Sequence, residues 1–315
     1  DGDGGAIAVW DDFRQSYNNS KFEITNVYVQ KIDSKGTVKW DKNGVQVYSS
    51  YVGFYPRIIT DGDGGAIVAW NGPHEEEFGG IQKINKHGQI QWGKDGIIMS
   101  NNEVSRALPY IVSDGEGGVY ISYNEATLNK EGKIKERRFC VQRRDKNGIK
   151  KWSKNKIFLV DRDLKGIELV TISKEYLFVI GHDIDGFYVQ GLDRDGNTKW
   201  NKGDILIGDS KSKSNFSIIG DKEGVIVAWA AYEEKKDQIS LYIQKIDSVG
   251  KLKWKTGEMF KDTGVQVQNS ATEETYNNIN FDVTSDGEGG AFVFWEYKEK
   301  GVYAKRIYAD GKTSE

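Results

Sequence analysis

The chain has 315 residues, with 44 basic and 47 acidic side chains and a formal net charge of −3. A balance this even, with Lys runs such as Lys150-Lys151 and Lys235-Lys236 interleaved with acids, excludes the one-sided basic face that nucleic acid requires. Hydrophobic residues at 37% and aromatics at 12% suffice for a core, 37 Gly against 3 Pro favour tight turns over long helices, and no run reaches the ~18 apolar residues that cross a bilayer.

In chain order, the sequence opens on a Gly-rich turn, Asp1 to Gly5, and a strand that closes at Trp10. A strand over Val27 to Ile32 turns through Asp33-Ser-Lys-Gly36 into another that is expected to carry Trp40 and end near Val45 to Val47. The next copy supplies the whole unit. Pro56 to Thr60 is a first strand of β-branched residues, Asp61-Gly-Asp-Gly-Gly65 the turn, Ala66 to Trp70 the second strand, Ile81-Gln-Lys-Ile-Asn85 the third, and Gly88 to Trp92 leads into the fourth. The Gly-rich turn returns at Asp114 to Gly118 and Asp286 to Gly290, with worn copies at Ser173 to Tyr176 and Asp221 to Val225. A period of roughly fifty residues is the signature of a repeat architecture. The units run over approximately 1–52, 53–104, 105–162, 163–210, 211–272 and 273–315.

Four antiparallel strands per unit predict an all-β fold, a single six-bladed β-propeller, since rungs of a β-helix are shorter and sandwich domains run nearer ~100 residues. Ring closure would remove the open edges that a linear stack leaves. The first inner strand and the last outer strand are missing from the chain, which predicts a monomeric domain cut from a longer polypeptide at a blade seam.

The stretch Gln30-Lys-Ile-Asp-Ser-Lys-Gly-Thr-Val-Lys-Trp40, repeated at Asp145 to Trp152, Asp193 to Trp200, Asp247 to Trp254 and Asn85 to Trp92, resembles the tryptophan-docking motif of quinoprotein-like propellers. The repeat is also similar to those of bacterial secreted propellers. The resemblance covers essentially the whole chain and implies that Trp40, Trp92, Trp152, Trp200 and Trp254 pack onto the following blade. Two departures stand out: the turn is one residue shorter, and Gln stands where the quinoprotein pattern has Ala.

The short turns are nearly uniform, as hairpins selected for geometry should be. The loops at the other end vary, from the long Asp11 to Asn26 and Asn124 to Arg138 down to the short His182 to Gly186, and variable loops on a rigid scaffold are where recognition resides. Aligning the copies puts Arg57, Tyr110, Glu168, Ser217 and Asp282 at one position of the first strand, a candidate ligand lining. Tyr17, Tyr51, Phe54, Tyr232 and Tyr276, with Phe13, add loop aromatics suited to sugar rings. Trp10, Trp70, Trp229 and Trp295 close the second strand, with packing between blades as their expected role.

Metal binding is not expected, because two carboxylates in a five-residue turn cannot complete the six or more oxygens that calcium takes. His74, His87 and His182 fall in separate repeats without ligand spacing, and no cofactor motif occurs. The single cysteine, Cys140, precludes an internal disulfide and reads as a small buried hydrophobe. Together these observations predict an extracellular or cell-surface module that is noncatalytic and binds a polysaccharide or a protein. The alternatives are a protein-interaction scaffold without a small ligand, and a glycoside hydrolase for which Glu168 and Asp282 are the acid pair.

Overall fold

A computed structural model describes residues 1–14, 25–50, 55–71, 79–99, 109–131, 134–153, 156–157, 166–173, 175–183, 186–200, 203–208, 212–233, 238–254, 265–269, 280–297 and 301–314. The chain falls into two compact units, Asp1–Asp161 and Arg162–Glu315. Each carries three antiparallel sheets, and in every sheet the spatial order of the strands is their order in the chain.

In the first unit, sheet one holds β1 (Ala6–Asp12), β2 (Thr25–Ile32) and β3 (Val45–Ser50). Sheet two holds β4 (Arg57–Thr60), β5 (Ala66–Trp70), β6 (Gly80–Ile84) and β7 (Ile97–Ile98), and sheet three β8 (Tyr110–Ser113), β9 (Val119–Leu128), β10 (Ile134–Arg144) and β11 (Lys156–Ile157). In the second unit, sheet four holds β12 (Gly166–Ser173), β13 (Tyr176–His182), β14 (Phe187–Asp193) and β15 (Ile205–Ile207). Sheet five holds β16 (Ser212–Gly220), β17 (Gly224–Glu233), β18 (Gln238–Asp247) and β19 (Val265–Asn269), and sheet six β20 (Phe281–Ser285), β21 (Ala291–Tyr297) and β22 (Gly301–Ile307). Described strands thus number four in sheets two to five and three in sheets one and six. No helix long and apolar enough to cross a membrane occurs among the described residues.

The unbroken apolar run of β5 follows from burial on both faces. Side chains alternate sides along a strand, so Val68 and Trp70 enter a core with Val27, Val29 and Trp40 of sheet one. Ile67 and Ala69 enter another with Ile111, Ile121 and Cys140 of sheet three. In the second unit, Val225, Val227 and Trp229 of β17 join Phe178, Val189 and Trp200 of sheet four, while Ile226 and Ala228 join Val283, Val293 and Trp295 of sheet six. Each large apolar side chain so covered contributes about 1.5–3 kcal/mol relative to exposure. Removing one loosens a sheet-to-sheet contact as well as its own strand. Cys140 is buried in this packing.

Two segments differ from expectation. Trp40 and Trp92 do not lie on the fourth strand but precede it, in the chain between β2 and β3 and between β6 and β7. The cause is local: the Asp33 carboxylate accepts the amides of Lys35 and Thr37, a single bridge joins Ile32 to Val38, and the Trp40 amide then leaves the ladder to donate to the Gln30 side chain. Asn124 to Arg138 is a hairpin and not an irregular loop, because β9 and β10 stay paired out to Leu128 and Ile134. Asn129 closes it by accepting the Glu131 amide on its side chain, as the short turns elsewhere do.

Candidate functional site

The two ends of the sheets differ in chemistry. At the Gly-rich turns, one carboxylate oxygen of the leading Asp accepts two amides: Asp61 takes those of Asp63 and Gly65 at 2.9 and 2.8 Å, and Asp114 those of Glu116 and Gly118 at 2.9 and 2.8 Å. Gly62 and Gly64, at φ +79° and +78°, supply the left-handed backbone that such a turn needs. The other carboxylate oxygen meets a cation on β2, β6, β10, β18 or β22 of the same sheet. The pairs are Lys31–Asp1 at 3.4 Å, Lys83–Asp61 at 3.5 Å, Arg143–Asp114 at 2.9 Å, Lys245–Asp221 at 2.7 Å and Arg306–Asp286 at 2.8 Å.

The cations also reach onward to the next sheet. Lys31 donates to the Gly64 carbonyl at 3.0 Å, Lys83 to Gly117 at 2.8 Å and Lys245 to Gly289 at 3.0 Å, so each ammonium joins two neighbouring turns. Sheet four carries Ser173 in place of the Asp and Gly191 in place of the cation, losing both halves together. Burial alone would lower the Lys245 pKa, but its bonds to Asp221 and Glu223 outweigh that and the value is raised. Burial would likewise raise Asp286, yet the Glu288 amide and the Arg306 guanidinium hold it below the usual carboxylate range.

The tryptophans after the third strand use the same end of the sheets. Indole N–H groups donate to carbonyls in the next sheet's turn, Trp40 to Lys86 at 3.0 Å, Trp92 to Lys146 at 3.2 Å, Trp200 to Ser248 at 3.2 Å and Trp254 to Ala309 at 3.1 Å. Trp152 is buried and stacks at a tilt against Tyr120. Gly88 and Gly250 accept these rings because a Cβ there would lie 2.8 and 2.9 Å from Trp40 and Trp200. The Gln ten residues ahead holds the backbone of the tryptophan: the Gln82 and Gln244 side-chain oxygens accept the Trp92 and Trp254 amides at 2.9 and 3.0 Å.

The other end carries the candidate lining. Arg57, Tyr110, Glu168, Ser217 and Asp282 face Ala69, Ser122, Ile180, Ala228 and Phe294 across the first hairpin, the same register position in five sheets. In the first unit β4 packs against β8, and the Arg57 guanidinium lies over the Tyr110 ring at 4.6 Å. In the second unit β16 packs against both β12 and β20, and the Ser217 hydroxyl donates to Asp282 at 2.5 Å. That same Asp282 oxygen also accepts the Val283 amide at 2.8 Å. Glu168 sits on β12, across β16 from Asp282.

Tyr17, Tyr51, Phe54 and Tyr276 lie outside the described residues, and Tyr232 is placed only as a β17 position opposite Ile239. Phe13 is exposed. Trp70, Trp229 and Trp295 are buried core residues, so they do not present a ring face to a sugar, while Trp10 is half-buried and donates to Asp12 at 2.9 Å. Among the described residues no group of three or more His, Cys, Asp or Glu is placed to hold a metal ion. A pocket of ≈ 530 Å³ in the second unit opens at the turn end, between Thr171, Gly220, Glu223, Ser285 and Glu288.

Sequence reasoning overlooked three sets of residues. The turn-bridging cations were signalled by a Lys or Arg at one fixed place in five repeats, and the Gln residues by their position ahead of each Trp. Tyr55 is the third: it is 74% exposed, two residues before Arg57, with φ +46° and its amide on the Asp11 carboxylate. A bulky residue in the left-handed region is an outlier that points to a local role.

No protein-family model matches the sequence, and no curated protein matches it significantly. Among solved structures, a polysaccharide lyase of a new family, ulvan lyase, aligns with 99% of this chain and 78% of its own at TM-score 0.52 and 9% identity. Ulvan lyase bound to -[GlcA(1-4)Rha3S]- aligns over the same shares at TM-score 0.53 and 9% identity. The likeness is one of fold. It places this all-β chain of six antiparallel sheets beside propeller-like proteins. An endo-arabinanase from Bacillus licheniformis aligns with 82% of this chain and 96% of its own at 11% identity and TM-score 0.38, too low to argue from.

Proposed function

We propose that the chain is a noncatalytic module of six-bladed propeller form that binds an anionic polysaccharide outside the cell, through the end of the sheets where the first strands begin. The carrying observation is Arg57. Its guanidinium lies over Tyr110 and makes no ion pair among the described residues. A guanidinium held over an aromatic ring spends no N–H donor on that contact, and its planar fork takes a carboxylate or sulfate bidentately. Tyr55 adds an exposed aromatic edge two residues away. The turn end suits recognition poorly, because both oxygens of each turn Asp are already engaged.

A related fold in ulvan lyase, bound to a glucuronate- and sulfate-bearing saccharide, is compatible with such a ligand. The glycoside-hydrolase reading is weaker. One Asp282 oxygen is committed to Ser217 and Val283, and β16 stands between Asp282 and Glu168. Titration of the chain against a polyuronate, a sulfated polysaccharide and a neutral glucan tests the proposal. Salt-sensitive binding to the charged polymers, weakened roughly 10-fold or more by Arg57→Ala, is expected for the loss of a charge-assisted hydrogen-bonded pair. Equal binding to the neutral glucan, or an unchanged Arg57→Ala, overturns it, and release of shortened or unsaturated products identifies an enzyme instead.

A further inference from the structure

At the junction of sheets four and five, both halves of the turn-to-turn bridge are absent. Lys31, Lys83 and Lys245 donate to the carbonyls of Gly64, Gly117 and Gly289, the fourth residue of the next turn in each case. Sheet four has Gly191 in place of the lysine, and the turn of sheet five has no residue equivalent to those glycines. Its Asp221 amide closes on the Gly224 carbonyl, whereas Asp61, Asp114 and Asp286 close one residue later, on Gly65, Gly118 and Gly290. Two exchanges accompany the shortening. The Thr60, Ser113 and Ser285 hydroxyls, just before the Asp, accept the amides of Gly62, Gly115 and Gly287, just after it, at 3.1, 3.2 and 3.1 Å. Sheet five has Gly220 and Lys222 at these two places, so a side chain is removed before the Asp and a cation is added after it.

The cavity of ≈ 530 Å³ in the second unit opens at this shortened turn, between Thr171 of sheet four and the sheet-six turn. None of its lining residues is aromatic, so charge and hydrogen bonds, and not stacking, decide what it holds. Lys222 is exposed and makes no ion pair among the described residues. Carboxylates outnumber their cations here: Lys245 serves both Asp221 and Glu223, and Arg306 both Asp286 and Glu288. The Glu223 and Glu288 side chains are 67% and 76% exposed, and each meets its cation through one oxygen only. The Ser285 hydroxyl accepts the Gly287 amide and keeps its own hydrogen to donate.

From these observations we infer that this cavity binds a small zwitterion of the α-amino acid class. The ligand ammonium would lie between Glu223 and Glu288, joining turns five and six as the Lys245 ammonium does, and the ligand carboxylate would meet Lys222. Thr171 and Ser285 supply hydroxyls for its remaining polar atoms. A zwitterion satisfies the surplus carboxylate and the unpaired lysine together, whereas an amine or an acid alone satisfies one of them. The turn Asp residues stay engaged, and the ligand uses the groups beside them. The inference is independent of the polysaccharide reading.

Titration calorimetry of the full chain with L-amino acids is expected to find binding at millimolar concentration or below. The matching amine or acid should bind about tenfold or more weakly, for the loss of one charge-assisted pair. Lys222→Ala, at an exposed position without an ion pair, should weaken binding by about the same factor and leave the urea midpoint unchanged. Replacing Gly220 to Gly224 by the sequence of Ser285 to Gly290, which already forms the longer turn in sheet six, should abolish binding in a folded chain. Arg57→Ala should bind the amino acid as before. Absence of binding by every L-amino acid at millimolar concentration, equal binding of the amine, the acid or an uncharged polyol, or unchanged binding by Lys222→Ala overturns the inference.

Discussion

Replacing Gln244 with Leu removes one buried side chain that serves three backbone groups. Its oxygen accepts the amides of Lys245 at 2.9 Å and Trp254 at 3.0 Å, and its amide donates to the Trp254 carbonyl at 2.9 Å. Gln244 is fully buried and Trp254 is 1% exposed, so water does not replace the lost partners. A buried group left unsatisfied costs about 1–3 kcal/mol, which for three groups, offset by the more apolar Leu, gives a loss of roughly 3–6 kcal/mol. Gln30 is the internal control. It makes the same bonds to Lys31 and Trp40, but its amide reaches the exposed Asp41 carbonyl, where water can substitute. Gln30→Leu strands two buried amides in place of three groups and should therefore cost less, about 2–4 kcal/mol. Urea unfolding followed by tryptophan fluorescence measures both. A Gln244→Leu loss below about 1 kcal/mol would refute the assignment of Gln as the anchor of the following tryptophan.

Lys245→Met leaves Asp221 buried without its cation and should lower stability by about 3–5 kcal/mol in urea unfolding, whereas Lys39→Met, at an exposed pair with Asp33, should cost under about 1 kcal/mol. Because the folded pKa of Lys245 is raised, its contribution is complete below the ordinary lysine value and is lost as pH rises through the folded one. An alkaline stability limb that Lys245→Met flattens is the check. Asp12 behaves oppositely: hydrogen bonds from Arg14 hold it at about 2, so its contribution is present above the ordinary carboxylate range and fades as pH falls toward that value. Asp12→Asn should flatten the acid limb in that window. Millimolar calcium should move the melting temperature by less than about 1 °C, because each turn Asp is already taken by amides and a cation; a chelator-reversible rise of several degrees would show a native-only site.

Much of the fold was legible because its signals are local. Asp61-Gly-Asp-Gly-Gly65 places glycines where positive φ is needed, and Ala66–Trp70 was bounded to the residue because a strand buried on both faces reads as one apolar run. The fourth strand was misplaced because the departure of Trp40 from the ladder depends on Gln30, ten residues earlier. The long β9–β10 hairpin was taken for a loop because its outer arms, Asn124 to Leu128 and Ile134 to Arg138, are mostly polar and charged and show no apolar run.

At the candidate site, repeat alignment found the register position shared by Arg57, Tyr110, Glu168, Ser217 and Asp282. It left their partners unseen, since Arg57 on Tyr110 and Ser217 on Asp282 are contacts between sheets 53 and 65 residues apart in sequence. The turn-bridging lysines were hidden for a related reason. A Lys on a strand reads as solvent-facing until the carboxylate and the neighbouring carbonyl that receive it are located.

The division of labour between the two ends is tested most directly by comparing Arg57→Ala with Lys83→Met in one pair of measurements, binding to an anionic polysaccharide and midpoint of urea unfolding. Arg57→Ala should weaken binding roughly 10-fold or more with the midpoint unchanged, and Lys83→Met should lower the midpoint while the folded protein binds as before. The reverse pattern, with binding lost at Lys83 and retained at Arg57, would place recognition at the turn end and contradict the assignment.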